Sequence, residues 1–453
     1  MDDFMNFKQF VLSDVASVSL SNVDKKTNSA EAAVKLCNYV DVYNNYAITT
    51  HNYEMFMDAS ANYTEIEKFT LKKGDIAITK DSETRDDIGI PCYVANNFDD
   101  TVLLGYHCAL IRCNSDLIDS KYLVAYLNSN IARKYFAYNA TGSGQRASLS
   151  KSTIENMPIF APSLQDQKMI GCLLSDIDKQ ICLNRQINDN LEAMARQLYE
   201  YWFIQFEFPD ENGRPYKSSG GKMVWSDELN QYIPYGWKAS QIKDFIASNV
   251  GGTWGNDICE YGDVKVSCIR GADIDSFKSF PTRFIKEKQL KLLLKPMDLV
   301  VEVSGGSPTQ STGRIAIITN ELLNSYDDSV ICSNFCRAIT LKDNGYSSYF
   351  YYLWKLFYDQ GVMFNFEGKT TGIKNLQTDL LFQTNVVKPN KDVASKFNQI
   401  IINIKSLQCN NINDNEFYIN LRNILNKILM TGQVTVNYHL CDKYKLQKLV
   451  CTD

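Results

Sequence analysis

Histidine is scarce in this chain of 453 residues, which has only His51, His107 and His439. The 13 cysteines include no CxxC pair, so the spacing of a zinc site cannot be assembled. Scattered thiols in odd number favour buried, reduced cysteines in a cytoplasmic protein over disulfides. There is no run of about 20 apolar residues, and the N-terminus lacks a basic segment followed by an apolar one. The sequence therefore predicts neither a membrane span nor a secretory signal.

An excess of positive charge is also lacking, because 47 Lys and Arg stand against 52 Asp and Glu, a net charge of -5. The chain as a whole is therefore not an evident polyanion binder, and nucleic-acid binding would need a basic face or a basic partner. Disorder is not expected, since 45% of the residues are hydrophobic. The length indicates about three domains.

Catalytic motifs are missing too. Gly368-Lys369-Thr370 resembles the end of a phosphate-binding loop, but Met363 occupies the position that requires the first glycine. Gly142-Ser143-Gly144 follows a predicted helix rather than a strand, which excludes a dinucleotide or S-adenosylmethionine cradle of that kind. No Asn-Pro-Pro-aromatic tetrapeptide of an amino-methyltransferase is present. Three isolated histidines cannot activate a serine or cysteine nucleophile. We expect no covalent chemistry, no metal and no cofactor in this chain.

What the sequence has is an internal repeat. Lys8 and Asp14 match Lys238 and Asp244, and the Leu-Lys-x-x-Asp pattern that ends at Asp75 recurs with its last residue at Asp298. A third register has a constant offset of 227 and the spacing of one helical face. Its members are Ile170, Leu173, Leu174, Ile177, Met194, Leu198 and Tyr201, matched by Phe397, Ile400, Ile401, Ile404, Leu421, Leu425 and Ile428. A repeated globular unit with a long helix suits two similar targets a fixed distance apart.

The pattern along the chain divides it into segments. Residues 1–162 read as mixed strand and helix, with strands predicted at 75–79 and 108–112 and an amphipathic helix at 122–137. A connector rich in Pro, Gly and aromatics follows at 208–236, and its aromatics suggest that it is pinned to a surface. Residues 237–389 form the second mixed unit, and no role is assigned to the tail at 433–453.

Two segments have long helical periodicity, a central helix at 163–207 and a distal helix at 390–432. Ser163 is a plausible N-cap of the first, and about 43 residues make a rod of roughly 60 Å. A narrow apolar stripe with charged flanks favours a partner helix, although two independent helices stay an alternative. The residues expected to pair the helices are Ile170, Leu174, Ile177, Leu191, Leu198, Ile401, Ile404, Leu421 and Leu425.

Polar loops occur at comparable points of the two units. Arg, Lys, Gln, Ser and Thr on short-backbone loops suit contacts with phosphates and base edges, whereas the alternative for each loop is an ordinary solvated turn. A basic stretch at 283–295 is a weaker indication of phosphate binding. The residues predicted to contact DNA are Lys80, Ser82, Thr84, Arg85, Gln145, Arg146, Ser307, Gln310, Arg314, Lys369 and Lys374.

The connector and its flanks resemble the specificity (S) subunit of type I restriction–modification systems. The loop from Ser304 to Arg314 resembles one common in that family, whereas Asp166-Gln167 stands where the family usually has Glu-Gln. The resemblance covers almost the whole chain and is most specific in the connector. The residues that carry it are Asn190 to Ala195, Leu198-Tyr199, Trp202-Phe203, Phe206 to Pro209, Gly213 to Lys217, Ser219 to Gly221 and Ile233 to Trp237.

The resemblance implies an α+β fold. It would have two tandem target-recognition domains, separated by two long helices that pair as an antiparallel coiled coil with pseudo-two-fold symmetry. Each domain would read one half of a split, asymmetric site in double-stranded DNA, and the helices would set the unread spacer. Two methyltransferase subunits would dock along the helices and motor-nuclease subunits would join them. S-adenosylmethionine and adenine methylation would belong to the methyltransferase partners.

Two other functions stay open at this point. One is a non-catalytic protein–protein scaffold or anti-phage adaptor that keeps the architecture without reading DNA. The other is a stand-alone nuclease or methyltransferase, which would need a catalytic constellation that the motifs do not supply. Binding of duplex DNA that weakens with salt separates a DNA reader from a scaffold.

Overall fold

The chain folds into two units. The computed structural model describes residues 6–142, 146–274, 280–305, 310–370 and 373–434. The first unit comprises Met1–Leu183 with Asp414–Asp453, and the second comprises Asn184–Asn413. Because the long helices run through Leu164–Tyr199 and Lys391–Met430, each unit contains a stretch of both.

The first unit is built on two sheets. One sheet has its strands in the order Ala16–Leu20, Cys108–Cys113, Ile76–Thr79, Pro91–Val94 and Ala47–Ile48, and the other in the order Met57–Ala61, Ala32–Cys37 and Val102–Leu104. Shorter pairs join Lys8–Val11 to Pro158–Ala161 and Asp81–Ser82 to Ala147–Ser148. The helices outside the long ones are Leu12–Val15, Tyr39–Asn44, Tyr63–Phe69, Ser120–Leu127, Asn130–Asn139 and Lys151–Glu155.

The second unit repeats this plan. One sheet has the order Ile246–Gly251, Cys336–Leu341, Leu299–Glu302 and Ile315–Ile317, and another the order Thr282–Lys286, Asp263–Ile269 and Ser329–Cys332. A third joins Ser304–Gly305, Ile373–Leu376 and Glu367–Thr370, and two-stranded pairs join Met223–Ser226 to Gln231–Pro234 and Lys238–Gln241 to Asn385–Lys388. The helices outside the long ones are Asn320–Asn324, Ser347–Asp359 and Thr378–Leu381.

The strand registers confirm the predicted repeat. Lys8 pairs with Ala161 in the first unit, and its sequence match Lys238 pairs with Lys388 in the second. Ala161 and Lys388 are related by the same offset as the matched residues of the long helices. Likewise the strand Ile76–Thr79, which follows Asp75, corresponds to Leu299–Glu302, which follows Asp298. All three registers found in the sequence thus recur as equivalent strands and helices.

The predicted helix at 122–137 is wrong in one respect, because the structure has two helices there, Ser120–Leu127 and Asn130–Asn139. The helix is interrupted at Ser129, whose side chain accepts a hydrogen bond from the backbone N–H of Ala132 and caps the second helix. Such a cap stabilises a helix start by about 1 kcal/mol. Both helices contribute side chains to the same core, so the apolar periodicity continues across the interruption and does not reveal it.

The central and distal helices pack antiparallel within each unit. In the first unit, the early residues Ile170 and Leu174 share a core with the late residues Leu429 and Met430. In the second unit, Asn188 bonds Gln408, whereas Tyr199, further along, contacts the ring of Phe397, which precedes Gln408. The predicted antiparallel pairing is confirmed in both. The central helix is α-helical to Tyr199 and continues as a π-helical turn over Glu200–Ile204, so it ends a few residues earlier than expected.

The connector is held by its aromatic residues, as predicted. Phe208 stacks on Tyr216 and on Trp237, with ring centroids 4.6 and 4.8 Å apart. Phe206 and Trp237 are buried in the same core as the aromatic side chains of the second unit. None of the helices in the part of the chain that the structure describes combines the length and apolar composition needed to cross a membrane.

Candidate functional site

The polar loops of the first unit lie side by side. The short strands Asp81–Ser82 and Ala147–Ser148 pair antiparallel, with Ala147 opposite Ser82. The backbone N–H of Leu149 donates to the carbonyl of Lys80 over 2.7 Å, and the Ser148 hydroxyl donates to Asp81 over 2.6 Å. The loop that begins at Lys80 and the loop that ends at Arg146 therefore meet at one edge of the unit.

The second unit brings its own two loops together in the same way. Ser304–Gly305 pairs with the strand that contains Lys374, so that Gly305 lies opposite Lys374. The N–H of Leu376 donates to the carbonyl of Val303 over 2.8 Å, and the Ser304 hydroxyl donates to the side chain of Asn375. Each of these residues corresponds to a junction residue of the first unit through one of the sequence offsets that relate the matched strands and helices. The repeat thus extends to the contacts between loops.

A third segment, which sequence reasoning missed, completes each meeting point. In the first unit the N–H of Lys80 donates to the carbonyl of His107 over 3.0 Å, and in the second the N–H of Val303 donates to that of Phe335 over 2.8 Å. Both carbonyls belong to tight turns, which run over 105–108 and 333–336. The recurrence of Cys108 as Cys336, close to the register of the long helices, is the sequence signal that could have revealed the pair.

We call these meeting points of three chain segments the loop junctions. The first junction consists of residues 80–82, 105–108 and 147–149, and the second of residues 303–305, 333–336 and 374–376. Each is closed by main-chain hydrogen bonds between its segments. The geometry holds polar loops on a rigid base, as a surface that recognises an extended ligand requires.

Several predicted DNA-contact residues of the first unit are accessible beside its junction. Thr84, Arg85 and Arg146 are exposed, and Ser82 is half-buried, its hydroxyl accepting a hydrogen bond from the N–H of Thr84. Guanidinium groups can bind phosphates or the guanine edge. Gln145 lies outside the described residues.

Lys80 differs from these residues because it is only 9% exposed. Its ammonium group lies 4.4 Å from the centroid of the Tyr106 ring and 3.5 Å from the carbonyl oxygen of Ser21. Through these contacts the Lys80 side chain helps to hold the junction together. The side chain would have to leave its contacts to reach a ligand.

The predicted cations of the second unit are held by carboxylates. Arg314 forms a bidentate pair with the buried Glu302, at 2.8 and 2.9 Å. Lys374 lies 3.3 Å from Glu367 and also donates to the carbonyl of Gln310, whose residue is exposed. The charge of these paired cations is partly neutralised before any ligand arrives. Ser307 and the side chain of Lys369 lie outside the described residues.

The basic stretch at 283–295 is only partly available. Arg283 pairs with Asp257 and stacks on Trp254, and Lys286 pairs with Glu260 and Asp263. The remaining members, Lys288, Lys291 and Lys295, are exposed.

The residues predicted to pair the helices are buried or partly buried. Ile170, Leu174, Ile177 and Ile401 are buried. The partly buried members are Leu191, Leu198, Ile404, Leu421 and Leu425. Other members of the same predicted face turn outward, since Leu173, Met194, Tyr201 and Ile400 are exposed. The apolar face is therefore wider than the helix pair covers.

Charged groups secure the helix pair inside each unit. In the first, Arg422 lies 2.6 Å from the buried carboxylate of Asp178. In the second, Glu192 lies 2.7 Å from both Lys355 and Lys405. Burial raises the pKa of Glu192, but the two ammonium groups lower it more, and the pKa falls to about 2. Among the described residues, no group of three His, Cys, Asp or Glu side chains is arranged to hold a metal.

Comparisons with known proteins agree with this geometry. The profile of the type I restriction modification DNA specificity domain matches residues 5–193. The type I restriction enzyme MjaIX specificity subunit of Methanocaldococcus jannaschii is 24% identical over 234 residues, which are 48% of this chain and 52% of that protein. The HindI specificity subunit of Haemophilus influenzae is 30% identical over 141 residues, 31% of this chain and 30% of that protein. The chain thus matches about half or less of the length of these relatives.

A solved structure shares the fold over the whole chain. The S subunit of a type I restriction–modification system from M. genitalium superposes with a TM-score of 0.56 at 12% sequence identity. The alignment covers 95% of this chain and 97% of the other. At this identity the likeness concerns the fold, and it confirms the α+β class with repeated units and long helices.

Proposed function

We propose that the chain is a specificity subunit of a type I restriction–modification system, and that it is the DNA-reading subunit of such a complex. Each unit reads one half of a split, asymmetric site in double-stranded DNA. The observation that carries this proposal is the loop junction, present in both units with the same main-chain hydrogen bonds. Two equivalent platforms with different loop side chains suit two different half-sites.

The side chains at the two junctions support asymmetry. The first junction is flanked by the exposed Arg85 and Arg146, whereas the second has Gln310 and the carboxylate-paired Arg314 and Lys374. Exposed guanidinium groups favour phosphate and guanine contacts, and a glutamine side chain can read adenine. We therefore expect the two half-sites to differ in sequence.

Partner subunits supply the catalysis in this proposal, and this chain supplies none. Two methyltransferase subunits bind along the long helices and carry S-adenosylmethionine, and motor-nuclease subunits join for cleavage. Exposed apolar side chains support the docking role: Ile187 and Met194 of the central helix are one heptad apart, as are Ile400 and Leu407 of the distal helix. This spacing places each pair on one helical face, where a partner helix can cover it.

The test is an exchange of recognition units. The chain is co-expressed with its methyltransferase partner, and methylated positions are read by sequencing genomic DNA. Replacing residues 1–160 by the same segment of another family member should change one half-site and leave the other intact. A change in both half-sites would contradict the proposal.

A scaffold without DNA reading is the second candidate, and a binding measurement separates the two. The assembled complex should bind duplex DNA with an affinity that falls steeply as salt rises, because cations release counterions from the phosphates. Absence of such binding, with the complex intact, would favour the scaffold.

A further inference from the structure

Each loop junction presents an aromatic side chain that the proposed function has not yet used. Tyr106 is 50% exposed and Phe335 is 46% exposed. Both lie in the tight turn of their junction, closed by a hydrogen bond from Cys108 to Gly105 in the first unit and from Cys336 to Ser333 in the second. A single exposed ring is ordinary at a protein surface, but these two rings recur at corresponding turns of both units, beside the loops proposed to read DNA.

The turns are anchored on both sides, so the rings are held in place. The N–H of Gly105 donates to the carbonyl of Cys37 over 2.8 Å, and the N–H of Ser333 donates to that of Ile269, also over 2.8 Å. These bonds tie each turn to the end of a central strand of its unit. The bond from Lys80 or Val303 ties the other side of the turn to the polar loops.

The surroundings of the Tyr106 ring suit a nucleic-acid base. The ammonium group of Lys80 lies 4.4 Å from the Tyr106 ring, and His107 packs edge-on against the ring at 5.0 Å. One part of the Tyr106 ring is thus supported by the protein while half of the side chain faces solvent. Apolar and aromatic side chains contact thymine methyl groups and base faces, whereas Arg and Gln bind the polar edges.

We propose that Tyr106 and Phe335 contact bases, each in the half-site that its own unit reads. The inference rests on the proposed DNA-reading function and adds a third recognition segment to each unit. The rings supply an apolar contact beside the polar contacts of the neighbouring loops. These two residues therefore help to determine specificity.

The experiment replaces one ring at a time in the full chain. Phe335→Ala and Tyr106→Ala are each co-expressed with the methyltransferase partner, and methylated positions are read from genomic DNA. Phe335→Ala should lower methylation of the original sites about tenfold, or relax a base position, only in the half-site of the second unit. Tyr106→Ala should do so only in the other half-site, and Phe335→Tyr should restore most of the specificity.

Matched controls remove exposed aromatics elsewhere in the same units. Tyr261 precedes the strand Asp263–Ile269, at the end opposite to Ile269, which holds the second turn. Tyr63 follows the strand Met57–Ala61, whose last residue pairs with Ala32. It therefore lies at the end of Ala32–Cys37 opposite to Cys37, which holds the first turn. Both control residues are highly exposed, and strand rise places them roughly 20 Å from the junctions. Tyr261→Ala and Tyr63→Ala should leave both half-sites unchanged.

Three results would overturn the inference: unchanged half-sites in both ring variants, equal effects on both half-sites, or the same loss in the controls. Failure of the proposed function looks different, because the unaltered chain would then direct no two-part methylation motif. A normal motif from the unaltered chain together with unchanged ring variants rejects only the role of Tyr106 and Phe335.

Discussion

The hydroxyl group of Tyr122 donates a hydrogen bond of 2.6 Å to the carbonyl oxygen of Phe160. Tyr349 donates an equivalent bond to the carbonyl of Val387. Tyr349 corresponds to Tyr122, and Val387 to Phe160, by the sequence offset that relates the long helices. Each bond joins the helix that follows the sheets to the strand that leads into a long helix. The repeat is therefore preserved down to single side-chain contacts at the base of each unit.

Removing either hydroxyl should destabilise its unit. Tyr122→Phe and Tyr349→Phe each remove a donor from a part-buried carbonyl, which costs about 1 kcal/mol. Urea unfolding followed by fluorescence measures the loss. Tyr138→Phe is the control, since Tyr138 is 82% exposed, and it should leave the free energy of unfolding unchanged. An equally small effect in all three variants would contradict the importance of these bonds.

Glu192→Gln should lower stability at neutral pH and lose this effect in acid. The pKa of Glu192 is depressed from 4.5 to about 2 by Lys405 and Lys355 against the effect of burial. A depressed pKa stabilises the folded state above pH 4.5, and this contribution, about 3 kcal/mol, disappears as the pH falls toward 2. Unfolding free energies of the two proteins should therefore converge between pH 5 and about pH 2.5.

The control for this prediction is Glu200→Gln, because Glu200 is exposed in the following turn. Its stability should follow that of the unaltered protein at every pH. A constant difference between the unaltered protein and Glu192→Gln across the acid range would show that the carboxylate charge is not the source of the stabilisation.

Arg146 and Lys80 should respond differently to substitution. Arg146→Ala should weaken DNA binding by the complex and reduce its salt dependence by about one counterion, with the melting temperature unchanged. Lys80→Ala should lower stability by about 1–2 kcal/mol because its stem is buried, whereas Lys80→Met keeps the stem and should restore most of it. Weak DNA binding by a stable Lys80→Met protein would instead show a direct contact of Lys80 with DNA.

The long helices should set the spacer between half-sites. Four residues are inserted into both helices, after Leu183 and after Asn413, where the two units divide. The added helical rise is about 6 Å, or about two base pairs. The methylation motif should keep both half-sites and change only its spacer. Insertion into one helix alone breaks the pairing register and should abolish methylation, and an altered half-site after the double insertion would contradict the ruler role.

The long helices and the repeat were predictable because their signals are periodic. The distal helix runs over Lys391–Met430, within two residues of the predicted 390–432 at each end, and the sequence registers recur in the pairing of the strands. A stripe of apolar residues along so long a segment leaves few alternatives to a helix. By contrast, the π-helical turn at Glu200–Ile204 depends on how Trp202 and Phe203 enter the core, which no local pattern encodes.

The site was predictable only in outline. The polar loops were predictable, but Lys80, which the sequence predicts to contact DNA, is buried, and Val303 at the same position of the second unit is half-buried. Comparison of the two copies would have indicated burial. The charge of Arg314 was evident from the sequence, but its pairing with Glu302, which ends an otherwise apolar strand earlier in the chain, was not. The turns of His107 and Phe335 differ in side chain at these two positions, so apart from the recurring cysteine their equivalence appears in the main-chain bonds.

Hydrogen bonds between peptide groups join the three segments of each loop junction. Peptide groups are the same for every residue except proline, which lacks the donor. Substitutions on the neighbouring loops therefore leave the platform standing while they change what it displays. A lineage carrying such a platform can acquire a new target by a few codon changes, and the two copies are free to diverge from each other without losing their common frame.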